Sequence, residues 1–364
     1  MRPAFIIVCI QLFFISAASA FPELTRHNYN NCMVCHISPT GGGVLSEYGR
    51  SLSKELVSTW GYEGEEKFFY FIPTTEALAL GGDFRNLQLK DKLPTGVKRE
   101  LWIPMQRDLE IAATIGKWVT AVTVGENTRA TEGSKLLSRR HYVMKKISEN
   151  LTVRGGKFYP AFGLHIPDHS TVIRRGLGWD QGRETYNLEG AWQGEKWHYF
   201  TTAIVGRPDD TSVVRERGLT FSMAYHPTAD SKYGLSYYYG ESPDAINHFI
   251  GPYAVIGLSE RFHFMGQITA IRSHPYSATE HQWGLVDYLK LNFEPYKGIH
   301  FFLAQEFSQT NLNSNATRTD IHSVGFQFFP RPHFEIQVME QRLYSQGVQT
   351  TPTERLNVVL HYYP

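Results

Sequence analysis

From about residue 75 onward the chain alternates, position by position, between large apolar and small or polar side chains. Lys232-Tyr233-Gly234-Leu235-Ser236-Tyr237-Tyr238-Tyr239 shows the pattern, and Gly218-Leu219-Thr220-Phe221-Ser222-Met223-Ala224-Tyr225 repeats it. Leu109, Ile111, Ala113 and Ile115 fall on one face of an extended segment; Asp108, Glu110, Ala112 and Thr114 fall on the other. A period of two is the side-chain period of a β-strand. Alternating segments of about ten residues, separated by turn residues, are the sequence pattern of a transmembrane β-barrel.

The spacing predicts strands over 76–89, 104–115, 117–126, 138–148, 150–158, 184–193, 196–206, 216–226, 232–241, 246–257, 262–272, 281–293, 299–309, 319–329, 333–345 and 354–363. These make sixteen, an even number, with short turns after the even strands and longer loops after the odd ones. Outer-membrane barrels alternate in this way, with the short turns on the periplasmic side. A soluble β-sandwich is the competing reading. It explains neither the connection lengths nor an outward row rich in the chain's 20 Tyr and 23 Phe. Asp287 interrupts the apolar row of Trp283, Leu285, Leu289 and Leu291, at an interface or through a register slip. The longest loop, Tyr159 to Arg183, follows the fifth strand and is expected to fold into the pore; it carries His165, Asp168, His169, Arg174, Arg175 and Asp180. No segment beyond the N-terminus reaches the roughly 18 apolar residues of a membrane helix.

The N-terminus reads as a cleaved export signal over residues 1–20: Met1-Arg2, an apolar run from Ala4 to Ile15, then Ala18-Ser19-Ala20 before Phe21. Cys9 leaves with it, so the mature chain keeps only Cys32 and Cys35 of the three cysteines. They stand in Cys32-Met33-Val34-Cys35-His36, the C-x-x-C-H attachment sequence of c-type haem. Two thiols at this spacing add across the two vinyl groups of one porphyrin edge, and the adjacent His36 reaches the iron. A thioredoxin-like redox pair would want a βαβ context, which residues 21–60 lack. A zinc site would want four ligands.

No methionine follows within the usual reach of a sixth ligand. His27, five residues before Cys32, is the nearest alternative. Further along, His226, His263, His300 and His333 recur beside the short turns, each in the less apolar row of its strand. They are expected to line the periplasmic rim of the lumen, where His263 or His300 is a candidate axial ligand. Polar rim positions that simply tolerate histidine are the plainer explanation. The loop residues His165 and His169 are the fallback. Between the motif and the barrel, Gly41-Gly42-Gly43 reads as a turn, and Val44, Leu45, Tyr48, Leu52, Leu56 and Trp60 predict one amphipathic helix over 44–60. The expected organisation is therefore a signal over 1–20, a cytochrome c-like segment with a small α part over 21–72, and an all-β porin-like barrel over 73–364.

This combination resembles the fused outer-membrane cytochrome–porins of iron-oxidising bacteria. In that family a short segment after the haem motif ends in an aromatic-Gly-Arg triplet, and Tyr48-Gly49-Arg50 is similar. The likeness is specific over about residues 21–55 and architectural over the barrel. It implies one covalent haem c, with Cys32 and Cys35 as thioether residues and His36 as proximal ligand. It also implies electron transfer across the outer membrane, between a periplasmic carrier such as another cytochrome and an extracellular donor or acceptor such as Fe(II). The chain would count as an oxidoreductase if that donor is a small ion. Two rivals are a solute porin with a haem-bearing plug and a barrel-scaffolded haem sensor. Lipid is an expected partner. Nucleic acid is not, at a net charge of +1, and no hydrolytic or nucleotide-binding signature stands out.

Overall fold

The computed structural model describes residues 22–126, 136–168, 170–180, 182–209, 216–345 and 351–364. The expected signal over 1–20 and His169 lie outside the described residues. Sixteen strands follow one another as β1 (Leu78–Lys92), β2 (Lys98–Ile115), β3 (Trp118–Glu126), β4 (Leu136–Lys146), β5 (Leu151–Phe158), β6 (Thr185–Gln193), β7 (Trp197–Gly206) and β8 (Arg217–Tyr225), then β9 (Ser231–Glu241), β10 (Ala245–Gly257), β11 (Phe262–Pro275), β12 (Gln282–Tyr296), β13 (Ile299–Gln309), β14 (Arg318–Arg331), β15 (Phe334–Ser345) and β16 (Thr353–Tyr362). Each pairs antiparallel with its neighbours in sequence, and β1 closes on β16 from Phe84↔Tyr362 to Lys92↔Glu354. Closure removes the unpaired edges that an open sheet would present.

The alternation sorts as expected, and it is inverted relative to a water-soluble protein. Leu109 and Ile111 are exposed on the outer wall while Asp108 and Glu110 are buried inside. Thr202, Thr220, Ser236 and Thr269 are wholly buried. Phe221, Ile250, Trp283 and Leu303 face outward. Apolar outside and polar inside is the arrangement that suits a hydrocarbon surround. Asp287 keeps the outward register of β12, opposite Ile268 and Phe307, so no slip occurs there.

Two departures from the expected strands have physical causes. β1 and β2 run past 89 and start before 104, through Lys90-Asp91-Lys92 and Lys98-Arg99-Glu100. Those charged runs carry no apolar alternation, yet they pair across strands, with Lys90 Nζ 3.1 Å from Glu100 and Arg355 Nε 2.7 Å from Asp91. The β9–β10 connection, residues 242–244, is as tight as the short turns. There Ser242 Oγ accepts from the amides of Asp244 (3.2 Å) and Ala245 (3.1 Å) and closes the hairpin locally.

Residues 22–77 form no strand of their own. Residues 24–57 pack inside the barrel at the end that carries the short turns, and Trp60, Phe69 and Tyr70 then lie against the outward-facing Phe328, Phe84 and Tyr362. Asn30 Nδ2 donates to Ala229 O (2.7 Å) in the β8–β9 turn. Thr59 Oγ1 donates to Lys297 O (2.9 Å) in the β12–β13 turn, and Thr59 N to Phe329 O (2.8 Å). Tyr70 OH donates to Pro332 O (3.3 Å) in the β14–β15 turn. The helix expected over 44–60 is shorter: α1 spans Glu47–Leu52 and continues as a wider π-type turn over Ser53–Val57. Ser46 Oγ caps it by accepting from Gly49 N at 3.0 Å. The residues on either side are claimed by other pairings, Leu45 by His36 and Thr59 by the barrel wall.

Candidate functional site

The C-x-x-C-H residues form one tight turn inside the barrel. Asn31 Oδ1 accepts from Met33 N (2.9 Å), and Cys32 O accepts from both Cys35 N (3.2 Å) and His36 N (2.9 Å). Cys32 and Cys35 are separate thiols, the second buried. The chain then doubles back, with Ile37 N bonded to Val44 O (3.0 Å) and Ser46 N to Cys35 O (2.8 Å). Gly41, Gly42 and Gly43 make the bend at φ of 79°, 68° and 71°, left-handed values that side chains resist. The bend docks on the wall through Ser38 and Thr40, which accept from Arg154 of β5 at 3.0 and 3.2 Å.

The Tyr48-Gly49-Arg50 triplet has a distinct reason at each position. A Cβ on Gly49 would lie 2.3 Å from Cys35 O, so only glycine lets α1 pack on the motif. The Tyr48 and Tyr29 hydroxyls are hydrogen-bonded to each other. Arg50, 1% exposed, donates to Leu80 O of β1 and so fixes the helix to the wall.

Two cavities flank this turn. One is bordered by Cys35, His36 and Gly43, with Leu24, Leu52 and Val57 as apolar lining, and has a volume of about 170 Å³. The other is bordered by Cys32, Gly41 and Tyr29 and has a volume of about 80 Å³. Gly42 and His165 border both. The donor set fits a covalently held haem: two thiols, an adjacent imidazole, a glycine bend in place of bulky side chains, apolar lining, and Arg85 on the cavity border. Among the described residues no group of three or more His, Cys, Asp or Glu is arranged to hold a bare metal ion. A porphyrin supplies four donors of its own and needs no such group.

The rim histidines are where the spacing puts them, buried at the short-turn end and facing the lumen. The structure does not bring them to His36. His263 Nδ1 lies 2.7 Å from Arg26, whose guanidinium is ion-paired with Glu294. His300 stands 3.1 Å from Asn292 and 3.5 Å from Glu294. His333 binds the lumen segment, its amide donating to Ser53 Oγ (3.0 Å) and its Nε2 to Glu65 O (3.0 Å). His226 faces His198 at 3.4 Å. His27 Nε2 accepts from Arg26 Nε at 3.1 Å. Neither His27, His263 nor His300 borders the two cavities.

The long loop after β5 does fold inward. Phe162, Leu164, Ile166 and Ile173 join one apolar cluster with the inward face of β9–β12. Its backbone is held by the wall: Gly163 N donates to Ser236 Oγ (2.9 Å), Leu164 N to Gln267 Oε1 (2.7 Å), and Val172 N to Glu306 Oε2 (2.8 Å). His165 thereby borders both cavities beside the motif. Burial first, then Arg174, Lys232 and Arg154, push its pKa down to about 3, so it is a neutral imidazole. Sequence reasoning missed Arg26 as an anchor, because its partner Glu294 is 268 residues away.

A closed sixteen-stranded antiparallel barrel with an inward-folded loop after the fifth strand is the fold of porin-like outer-membrane proteins. The chain is similar in structure to a loop-deletion mutant of OmpT, an outer membrane protein of Vibrio cholerae (TM-score 0.61, 9% identity, covering 79% of this chain and 99% of that one). It is similar also to an anion-selective porin from Comamonas acidovorans (0.58, 11%, 79% and 99%) and to the outer membrane channel DcaP of Acinetobacter baumannii (0.56, 12%, 79% and 97%). No protein-family model and no curated protein matches the sequence. At such identities the likeness is one of fold.

Proposed function

We propose that this chain is an outer-membrane barrel whose lumen holds a single covalent haem c, and that it carries electrons across the membrane. Cys32 and Cys35 would hold the haem and His36 would ligate its iron; the haem supplies one-electron exchange. The chain's own residues do the rest. Leu24, Leu52 and Val57 exclude water from the site, which raises the cost of changing charge and so tunes potential. The bonds from Asn30 and Thr59 to the short turns keep the motif-bearing segment in the lumen. The observation that carries this reading is that a C-x-x-C-H turn sits inside a barrel, beneath an inward loop, with two cavities around it. A periplasmic cytochrome on one side and an extracellular metal such as Fe(II) on the other are the proposed partners.

Likeness in fold by itself backs the solute-porin alternative more directly, since the neighbours include a porin and a channel. One experiment separates the two. Purified protein is haem-stained on a denaturing gel, then reconstituted in planar bilayers and in vesicles that enclose an electron acceptor, with Fe(II) added outside as the electron donor. Electron transfer predicts covalent haem, acceptor reduction across the bilayer and little ion conductance. A large steady conductance without transmembrane reduction establishes a porin instead.

A further inference from the structure

We propose that His165, on the inward loop, is the second axial ligand of the haem, so that the iron is held from one side by the lumen segment and from the other by the barrel. The inference rests on the haem reading above. A ring joined to both Cys32 and Cys35 has to reach the space beside each thiol. Cys35 and His36 border one cavity and Cys32 borders the other. Two residues border both, Gly42 and His165, and only His165 has a side chain.

The other histidines are otherwise engaged. His361 borders the first cavity, but its Nδ1 lies 2.8 Å from Glu335 and its Nε2 3.2 Å from Asp83. His263 and His300 are engaged at the rim with Arg26 and with Asn292. For His165, by contrast, no hydrogen bond is recorded among the described residues. Its backbone neighbours are fixed, since Leu164 N is bound to β11 and Pro167 O accepts from Arg85 of β1. The loop that would supply this ligand is thus seated on the barrel wall at both sides of His165. That seating makes iron ligation a cross-link: the segment cannot leave the lumen without breaking the bond to His165. Haem loading would then lock the barrel shut.

The test is spectroscopic and uses the full-length protein. Wild type is expected to show a six-coordinate low-spin spectrum and little carbon monoxide binding when reduced. His165→Ala should keep its haem stain but turn high-spin and bind carbon monoxide, and added imidazole should restore the low-spin bands. His165→Met, which keeps a ligand of another kind, should stay low-spin with a raised midpoint potential. His27→Ala and His300→Ala should leave the spectrum as in wild type. Heat-modifiable gel mobility checks that each barrel is folded. An unchanged low-spin spectrum in folded His165→Ala overturns the assignment, as does a wild-type haem that is already five-coordinate. Failure of the haem reading itself is a separate result: wild type without haem stain.

Discussion

Arg26→Met tests what holds the lumen segment in place. Arg26 is 1% exposed and ion-paired with Glu294, itself 8% exposed, and it lies 2.7 Å from His263. Breaking a buried pair leaves a desolvated carboxylate, at about 3–5 kcal/mol. Glu294 would retain Gly298 N at 2.8 Å and His300 at 3.5 Å, which argues for the low end, about 3 kcal/mol. At about 1.4 kcal/mol per decade, the undocked fraction of the first turn should rise about a hundredfold. Amide exchange at Asn28 and Tyr29, whose N–H groups bond Thr25 O and Leu24 O, reads that opening directly. Salt should change the effect little, because the pair is buried. Adding Glu294→Leu should recover part of the loss, since no charge is then stranded. Unchanged exchange in Arg26→Met, or a double variant as open as the two single losses summed, would refute the latch.

Gly49→Ala places a Cβ 2.3 Å from Cys35 O and 2.9 Å from Cys35 Cα; backbone cannot rotate away, so the cost falls in the upper part of about 1–3 kcal/mol. Haem content per folded barrel, read as the pyridine haemochrome, should fall; equal content would count against the packing reason. Cys32→Ser with Cys35→Ser should abolish haem staining while heat-modifiable gel mobility stays that of wild type. A positive stain would sink the attachment. Docking of the lumen segment should weaken in acid. Burial, with Arg26, Lys232 and Arg50 respectively, holds His27, His226 and His333 at about 4, below the ordinary 6.5. The undocked state therefore takes up more protons between those values, so stability present above pH 6.5 is lost as pH falls toward 4. Protease access to residues 22–77 that does not change over this range would contradict it.

The barrel was legible because its signal is local and repeated. Each strand states its two faces in consecutive residues, and connection lengths report which end of the barrel a turn occupies. The signal failed where charge replaced alternation, at Lys90-Asp91-Lys92, and where one serine could close a long-side loop, at Ser242. It failed again in the helix after the motif. Spacing promised a helix to Trp60, but Thr59 N and Trp60 N pair with β14, an option invisible in local periodicity.

The candidate site divides along the same line. C-x-x-C-H is read from five consecutive residues, and the structure places all of them in one turn. A second ligand to the proposed haem would have no such locality, because a lumen is assembled from strands far apart in sequence. The rim histidines were visible through their recurrence beside the short turns, and recurrence says where they sit but not what they touch. They touch Arg26, Asn292, Glu65 and His198. His165 carries no periodic mark at all. What singles it out is a loop long enough to cross the pore, seated by Ser236 and Gln267, which lie 73 and 103 residues from their partners. A plug and a porin loop are separate devices in sequence. In the fold both border the same two cavities, and it is there that a ligand shared between them would make closing the pore and binding the iron one event.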